Sequence, residues 1–178
     1  MKKISVPFFV ALALLLSACA SGPTIVSNTN PGTDFRAFQT YNFYNPLGTD
    51  RSGGVRTPLS SRLIASMDRE MSLRGLTRSD TPDLLVDFSV SATDRIDVRS
   101  TPTSNTVHRS HWHRGFSTWP TYSTTVRQYT EGALVIDLID PKLNRLVAEG
   151  GATNRINDSN FTQAQIDDVV AQVMASMW

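Results

Sequence analysis

The chain is poor in the residues from which most sites are built. It holds one cysteine, Cys19, in 178 residues, so no internal disulfide can close and no cysteine-based zinc site can form. Histidine is almost as scarce: His108, His111 and His113 are the three in the chain and share one short segment. No serine sits in a GxSxG turn that would strain it into a nucleophile, and no glycine-rich loop is present to cradle a phosphate. Charge of one sign is lacking too, with Lys and Arg at 17 against Asp and Glu at 16. Without a clustered cationic surface, nucleic acid is not expected as a partner. The longest apolar run, Val6 to Leu16, is interrupted by Pro7 and falls short of the ~20 residues that span a bilayer.

What is present at the start has a definite order. Lys2 and Lys3 precede the apolar run, and the small residues Ser17 and Ala18 follow it, the three zones of an export signal. The quartet Leu16-Ser17-Ala18-Cys19 resembles the lipobox of bacterial lipoproteins. That resemblance implies a diacylglyceryl thioether on the Cys19 sulfur, cleavage after Ala18 and, in many bacteria, a further acyl chain on the freed amine. An acylated sulfur is no longer a nucleophile. Two or three acyl chains, at ~0.8 kcal/mol per buried CH₂, hold a protein durably where one does not. Ala20, in place of an aspartate, implies an outer-membrane location facing the periplasm if the source is Gram-negative. The expected address is therefore the cell envelope, with the membrane as partner through Cys19.

Residues 1–18 are thus expected as a signal peptide. Their loss takes the formal charge from +1 to −1, since only Lys2 and Lys3 are charged among them, and leaves enough chain for one domain with a sizeable core. Residues 19–33, with Gly22, Pro23, Asn28, Asn30, Pro31 and Gly32, read as a lipidated flexible tether in which Thr24–Ser27 has strand character. Residues 34–178 read as a single domain. Gln39 to Phe43 alternates as a strand. Thr57-Pro58 opens a helix as N-cap and first turn, Leu59, Leu63, Ile64, Met67 and Met71 form its buried stripe, and Gly75 stops it.

After Pro82, Leu84, Val86, Phe88, Val90 and Ala92 alternate with polar positions, and the parity carries on to Ile96 and Val98. This predicts one long strand with a dry face and a wet one. Ser100 to Thr125 has no helical period and is expected as a long excursion between strands. Tyr129 to Asp140 is the strongest strand, Asp140 to Asn144 is turn chemistry, and Arg145 to Ala152 returns as the hairpin partner. Asn160 with Gln163 fits a capping box. Ile166, Val169, Val170, Val173, Met174 and Met177 then give a helix one apolar face. The fold class expected is α+β in two layers, two helices packed on one face of a largely antiparallel sheet.

Asp34-Phe35 with Thr40-Tyr41, Pro82-Asp83-Leu84-Leu85-Val86, Tyr129, Glu131-Gly132, Leu134, Ile136-Asp137, Asp140, and Leu146-Val147 with Gly150 together resemble the DUF4136 domain of bacterial lipoproteins, over nearly all of the chain beyond the signal. The pattern departs at Ala148, where that family often carries Trp, and in a less glycine-rich middle loop. The resemblance implies an architecture and no known activity.

No catalytic residue is therefore assigned. Glu131 and Asp137 are an acid pair in one strand, on the parity of Ala133 and Val135, and read as surface residues rather than a glycosidase pair. His108, His111 and His113 are candidate ligands for zinc, copper or nickel, but no carboxylate stands nearby to complete or orient them. Arg109 and Arg114 with Trp112, Phe116 and Trp119 also suit the boundary of anionic lipid or polysaccharide phosphate. The expected function is a non-catalytic envelope lipoprotein without a cofactor, an accessory or interaction module with an envelope protein as partner. The alternative is a periplasmic small-ligand or metal-binding lipoprotein using the histidine segment.

Overall fold

The computed structural model describes residues 22–109, 116–156 and 161–178. The expected signal peptide, Cys19 and Ala20 lie outside the described residues. Among those described are a mixed, mostly antiparallel sheet of six strands and two α-helices, an α+β fold. The strands are β1 (Thr24–Thr29), β2 (Thr40–Phe43), β3 (Thr77–Arg78), β4 (Leu84–Arg109), β5 (Phe116–Asp140) and β6 (Arg145–Ile156); the helices are α1 (Pro58–Leu73) and α2 (Gln163–Met177). Their order across the sheet is β1-β6-β5-β4-β2-β3. β2 runs parallel to β3 and β4, and the other neighbours are antiparallel.

Helix α1 begins and ends where local chemistry dictates. The Thr57 hydroxyl accepts from the Ser60 amide at 3.0 Å, Pro58 takes the first helical position, and Gly75 adopts φ +81° just past the end, a conformation that costs glycine nothing. Leu63, Ile64, Met67 and Met71 are buried as the periodicity predicts. In α2 the buried positions are Ile166, Val170, Val173, Met174 and Met177. The capping box is built by Thr162 and Gln165, not by Asn160 and Gln163 as expected; Asn160 lies outside the described residues. The Gln163 amide is engaged elsewhere, donating to Ser66 Oγ at 2.9 Å and to Asp167 Oδ1 at 2.7 Å. With Arg69 paired to Asp167, this network ties α1 to α2.

One core joins these elements. Leu84, Val86 and Phe88 of β4 and Ile136 and Leu138 of β5 are fully buried together with Val147, Ala148 and the apolar faces of both helices. Gly150 permits the close seat of α2 on β6: a Cβ there would stand 2.6 Å from Val173 Cγ1 and from Met177 Sδ. β1 pairs along β6 from Thr24 to Thr29. Its Ser27 and Thr29 hydroxyls donate to the Ser176 and Met177 carbonyls at 2.9 and 3.2 Å, groups that a helix C-terminus leaves without partners. The folded body therefore takes in residues 24–33, which the tether was expected to include.

The largest departure concerns β4. The dry face expected through Val98 ends at Phe88; Val90 is 47% exposed, Ile96 67% and Val98 58%. The parity is right, but the cover runs out. β6 ends at Ile156, opposite Thr130, so beyond that point only β4 and β5 remain among the described residues. The excursion expected over Ser100 to Thr125 is instead a continuous antiparallel ladder, from Arg95↔Tyr129 to Arg109↔Phe116 with one register shift between Pro102 and Ser104. Local cross-strand pairs such as Val98↔Val126 and Ser100↔Thr124 extend the hairpin with no third strand among the described residues. At ~3.3 Å per residue this ribbon reaches about 50 Å past the body.

Candidate functional site

Several motif residues prove to be fasteners of the fold. Asp83 accepts from the Thr40 hydroxyl at 3.0 Å and from Lys142 Nζ at 2.6 Å, stitching β2 to the β5–β6 turn. The Lys142 bond, then that from Thr40, holds its carboxyl down to about 2. Asp140 Oδ1 accepts from the Lys142 and Leu143 amides at 2.8 and 3.1 Å, which shapes the turn locally. The Tyr41 hydroxyl donates to Asp68 at 2.6 Å, and burial, followed by that bond, raises its pKa. Phe35 stacks on Trp178 at 4.5 Å between ring centroids.

The acid pair separates. Six residues apart on one strand, Glu131 and Asp137 stand about 20 Å from each other, far beyond the ~5–9.5 Å that glycoside hydrolysis requires. Glu131 pairs with Arg95 at 3.1 Å. Asp137 sits in register between Asp87 of β4 and Glu149 of β6, a row of three carboxylates across the sheet that sequence spacing alone does not show. Asp87 Oδ1 accepts from the Gly48 amide at 2.9 Å and from the Phe88 amide at 2.8 Å. Burial first, then Glu149 and Asp87, raises the pKa of Asp137.

A pH signature follows. The folded chain binds the Asp137 proton more tightly than the unfolded chain, so this residue favours folding below the ordinary carboxylate range. That contribution is lost as pH rises through the raised pKa. Asp137→Asn should therefore stabilise the domain at neutral pH by about 0.5 kcal/mol, the scale of like charges set directly opposite in a sheet. It should also flatten the fall in stability with rising pH above the ordinary carboxylate range. Urea unfolding midpoints across a pH series would measure both; a neutral-pH loss of stability in the variant would refute the repulsion.

The histidine segment cannot be assembled into a site from the described residues. His108 falls in β4 opposite Ser117, while the side chain of His108 and the whole of His111 and His113 lie outside the described residues. The same holds for Trp112 and Arg114 and for the side chains of Arg109, Phe116 and Trp119.

Two features of the described surface remain. A cavity of about 210 Å³ opens at the root of the ribbon, lined by Leu59, Leu63, Val90, Leu134, Ile166 and Val169 with Gln165 and Asn154 among its polar groups. It is smaller than the ~300–1,000 Å³ typical of small-molecule sites. The ribbon itself is amphipathic. Ile96, Val98, Tyr122 and Val126, on the face continuous with Val86 and Phe88, are each more than half exposed. On the opposite face Arg95 meets Glu131, Arg99 meets Asp97 at 3.3 Å, and the Arg155 guanidinium lies 4.0 Å over the Tyr129 ring. The periodicity announces this apolar stripe; nothing local announces that it is left uncovered.

The family model described as Domain of unknown function (DUF4136) matches residues 25–176. No curated protein matches the sequence. Among solved structures, a PDZ domain protein from Parabacteroides distasonis is similar at 17% identity with a TM-score of 0.50, over 93% of this chain and 38% of that one. The chain thus spans well under half of that protein's length, and the likeness is one of fold. The PelC dodecamer from Paraburkholderia phytofirmans, and a point variant of it, give TM-scores of 0.47 and 0.45 at 11% and 9% identity, each over 86% of this chain and 96% and 95% of theirs.

Proposed function

We propose that this chain, which belongs to the DUF4136 family, is a non-catalytic accessory module of the cell envelope, lipid-anchored through Cys19 and acting by protein–protein contact. The observation that carries the reading is the ribbon. A two-stranded ribbon is marginally stable alone, yet here β4 and β5 run paired far beyond the last contact with β6 and present apolar side chains on one face. Exposed apolar patches of this kind mark interaction sites.

The body serves as its base. Both helices and the inward residues of β4 and β5 belong to one core, which supports a two-layer arrangement with the helices on one face of the sheet. The signal-like start and the Leu16-to-Cys19 quartet support export and attachment to the outer membrane, facing the periplasm, in a Gram-negative source. A small-ligand role has one observation in its favour, the apolar cavity between the helices and Val90, and its small volume limits the occupant to a short apolar group.

A photoactivatable crosslinker placed at Ile96 in intact cells tests the reading. The expected result is a discrete protein adduct from Ile96 and none from Leu73, which is 80% exposed on the end of α1. Adducts of equal yield from both positions, or from neither, would sink the ribbon as the contact element.

A further inference from the structure

We propose that the occupant of the ribbon's apolar face is a second copy of this chain, packed face to face with its centre at the Val98–Val126 pair. The inference rests on the reading of the ribbon as a contact element and names its partner. Along this face the cross-strand pairs are Ile96↔Gln128, Val98↔Val126, Ser100↔Thr124 and Pro102↔Tyr122. The apolar side chains thus lie in a strip on one side of the pleat, with Val98 and Val126 directly opposite one another.

Area argues for a self-complementary contact. Ile96, Val98, Tyr122 and Val126 are 67%, 58%, 61% and 63% exposed, which leaves on the order of 500 Å² of patch, a size that on a monomer is often functional. Two such strips in contact remove about 1,000 Å² from water, the lower bound for a specific interface. Their β-branched surfaces suit the ~10 Å stacking of two sheets.

Charge and edges exclude the competing geometries. Around the strip, Asp94, Asp97 and Glu131 balance Arg95, Arg99 and Arg127, so this part of the ribbon carries no net charge to draw it to an anionic lipid surface. Addition of a strand to either edge is hindered as well. Pro102 on β4 and Pro120 on β5 lack the N–H that an added strand would bond, a device that blunts exposed edges. The apolar face is what remains for contact, and a copy of the same face is a matching partner for it.

Two differently tagged copies of the full chain, expressed together and extracted from membranes in mild detergent, test this. Pull-down through one tag should recover the other. Val98→Asp and, separately, Val126→Asp should weaken association by ~100-fold, because each leaves an unpaired carboxylate inside the contact, and recovery should fall to background. Thermal unfolding should hardly move, since both positions are already more than half exposed. Arg99→Ala, next in the strand and on the opposite face, should leave recovery intact. No recovery from the unsubstituted pair, undiminished recovery from the aspartate variants, or equal loss with Arg99→Ala would each overturn the proposal. The crosslinker at Ile96 separates the two levels. An adduct of two copies supports self-association, an adduct with another protein overturns it while leaving the interaction reading in place, and no adduct overturns both.

Discussion

Cys19→Ser should abolish acylation and leave the chain as an unprocessed precursor. Serine lacks the thiol that diacylglyceryl transfer requires, and the peptidase of the lipoprotein route recognises the modified cysteine, so Lys2, Lys3 and the apolar run to Leu16 would be retained. The domain itself should fold normally. Among the described residues the first in the ladder is Thr24, and the cavity and the core are built from Pro23 onward. Labelling cells with a clickable fatty acid, followed by gel mobility, reads the outcome directly: the wild-type band carries label and runs as the mature form, whereas the variant is unlabelled and slower. Trimming of a minority of copies by a general signal peptidase would not restore the label. Label persisting on the variant, or mature wild-type protein free in the soluble periplasm, would remove the anchor and with it the proposed membrane location.

Val86→Asp and Ile136→Asp should each prevent folding. Both side chains are fully buried in the single core, with Val86 opposite Leu138 and Ile136 opposite Phe88 in the ladder. A carboxylate there has no partner within the apolar cluster, and an unpaired buried charge costs about 3–5 kcal/mol, against a total stability of about 5–15 kcal/mol for a domain. Ser89→Asp, one residue along and exposed, should stay within ~0.5 kcal/mol of wild type. Far-UV circular dichroism with a urea titration distinguishes the three. Equal damage from all of them would mean that both faces of the sheet are covered, and the two-layer arrangement would fall.

The contrast between Val86 and Val98 shows how far the sequence could be read. Both occupy the same parity of one strand; one is buried and the other 58% exposed. Alternation states which side chains share a face, and a face is dry only where another element covers it. Here α1, α2 and β6 cover β4 and β5 as far as the cavity at Val90 and Leu134, and that reach depends on helix length and seating rather than on anything written near Ile96. The candidate site follows the same division. The exposed strip was legible as an apolar period, but its role as surface was not. Asp137 was legible as a strand acid, but its place between Asp87 and Glu149 came from register.

Local chemistry, then, was determined by the sequence alone. Thr57, Pro58 and Gly75 bound α1; the 3.6-residue stripes on both helices name their buried residues; Asp140 and Asn144 make the hairpin turn. Each depends on residues within a few positions of one another, so spacing carries the information. The tertiary structure decided what depends on distant partners. It placed β1 against β6, locked Asp83 to Lys142, and let α2 close on Gly150, where no side chain intervenes. It also carried β4 and β5 past their cover into open solvent. Those outcomes are set by which elements end first and how nearly their surfaces meet, quantities that arise only when the whole chain has packed.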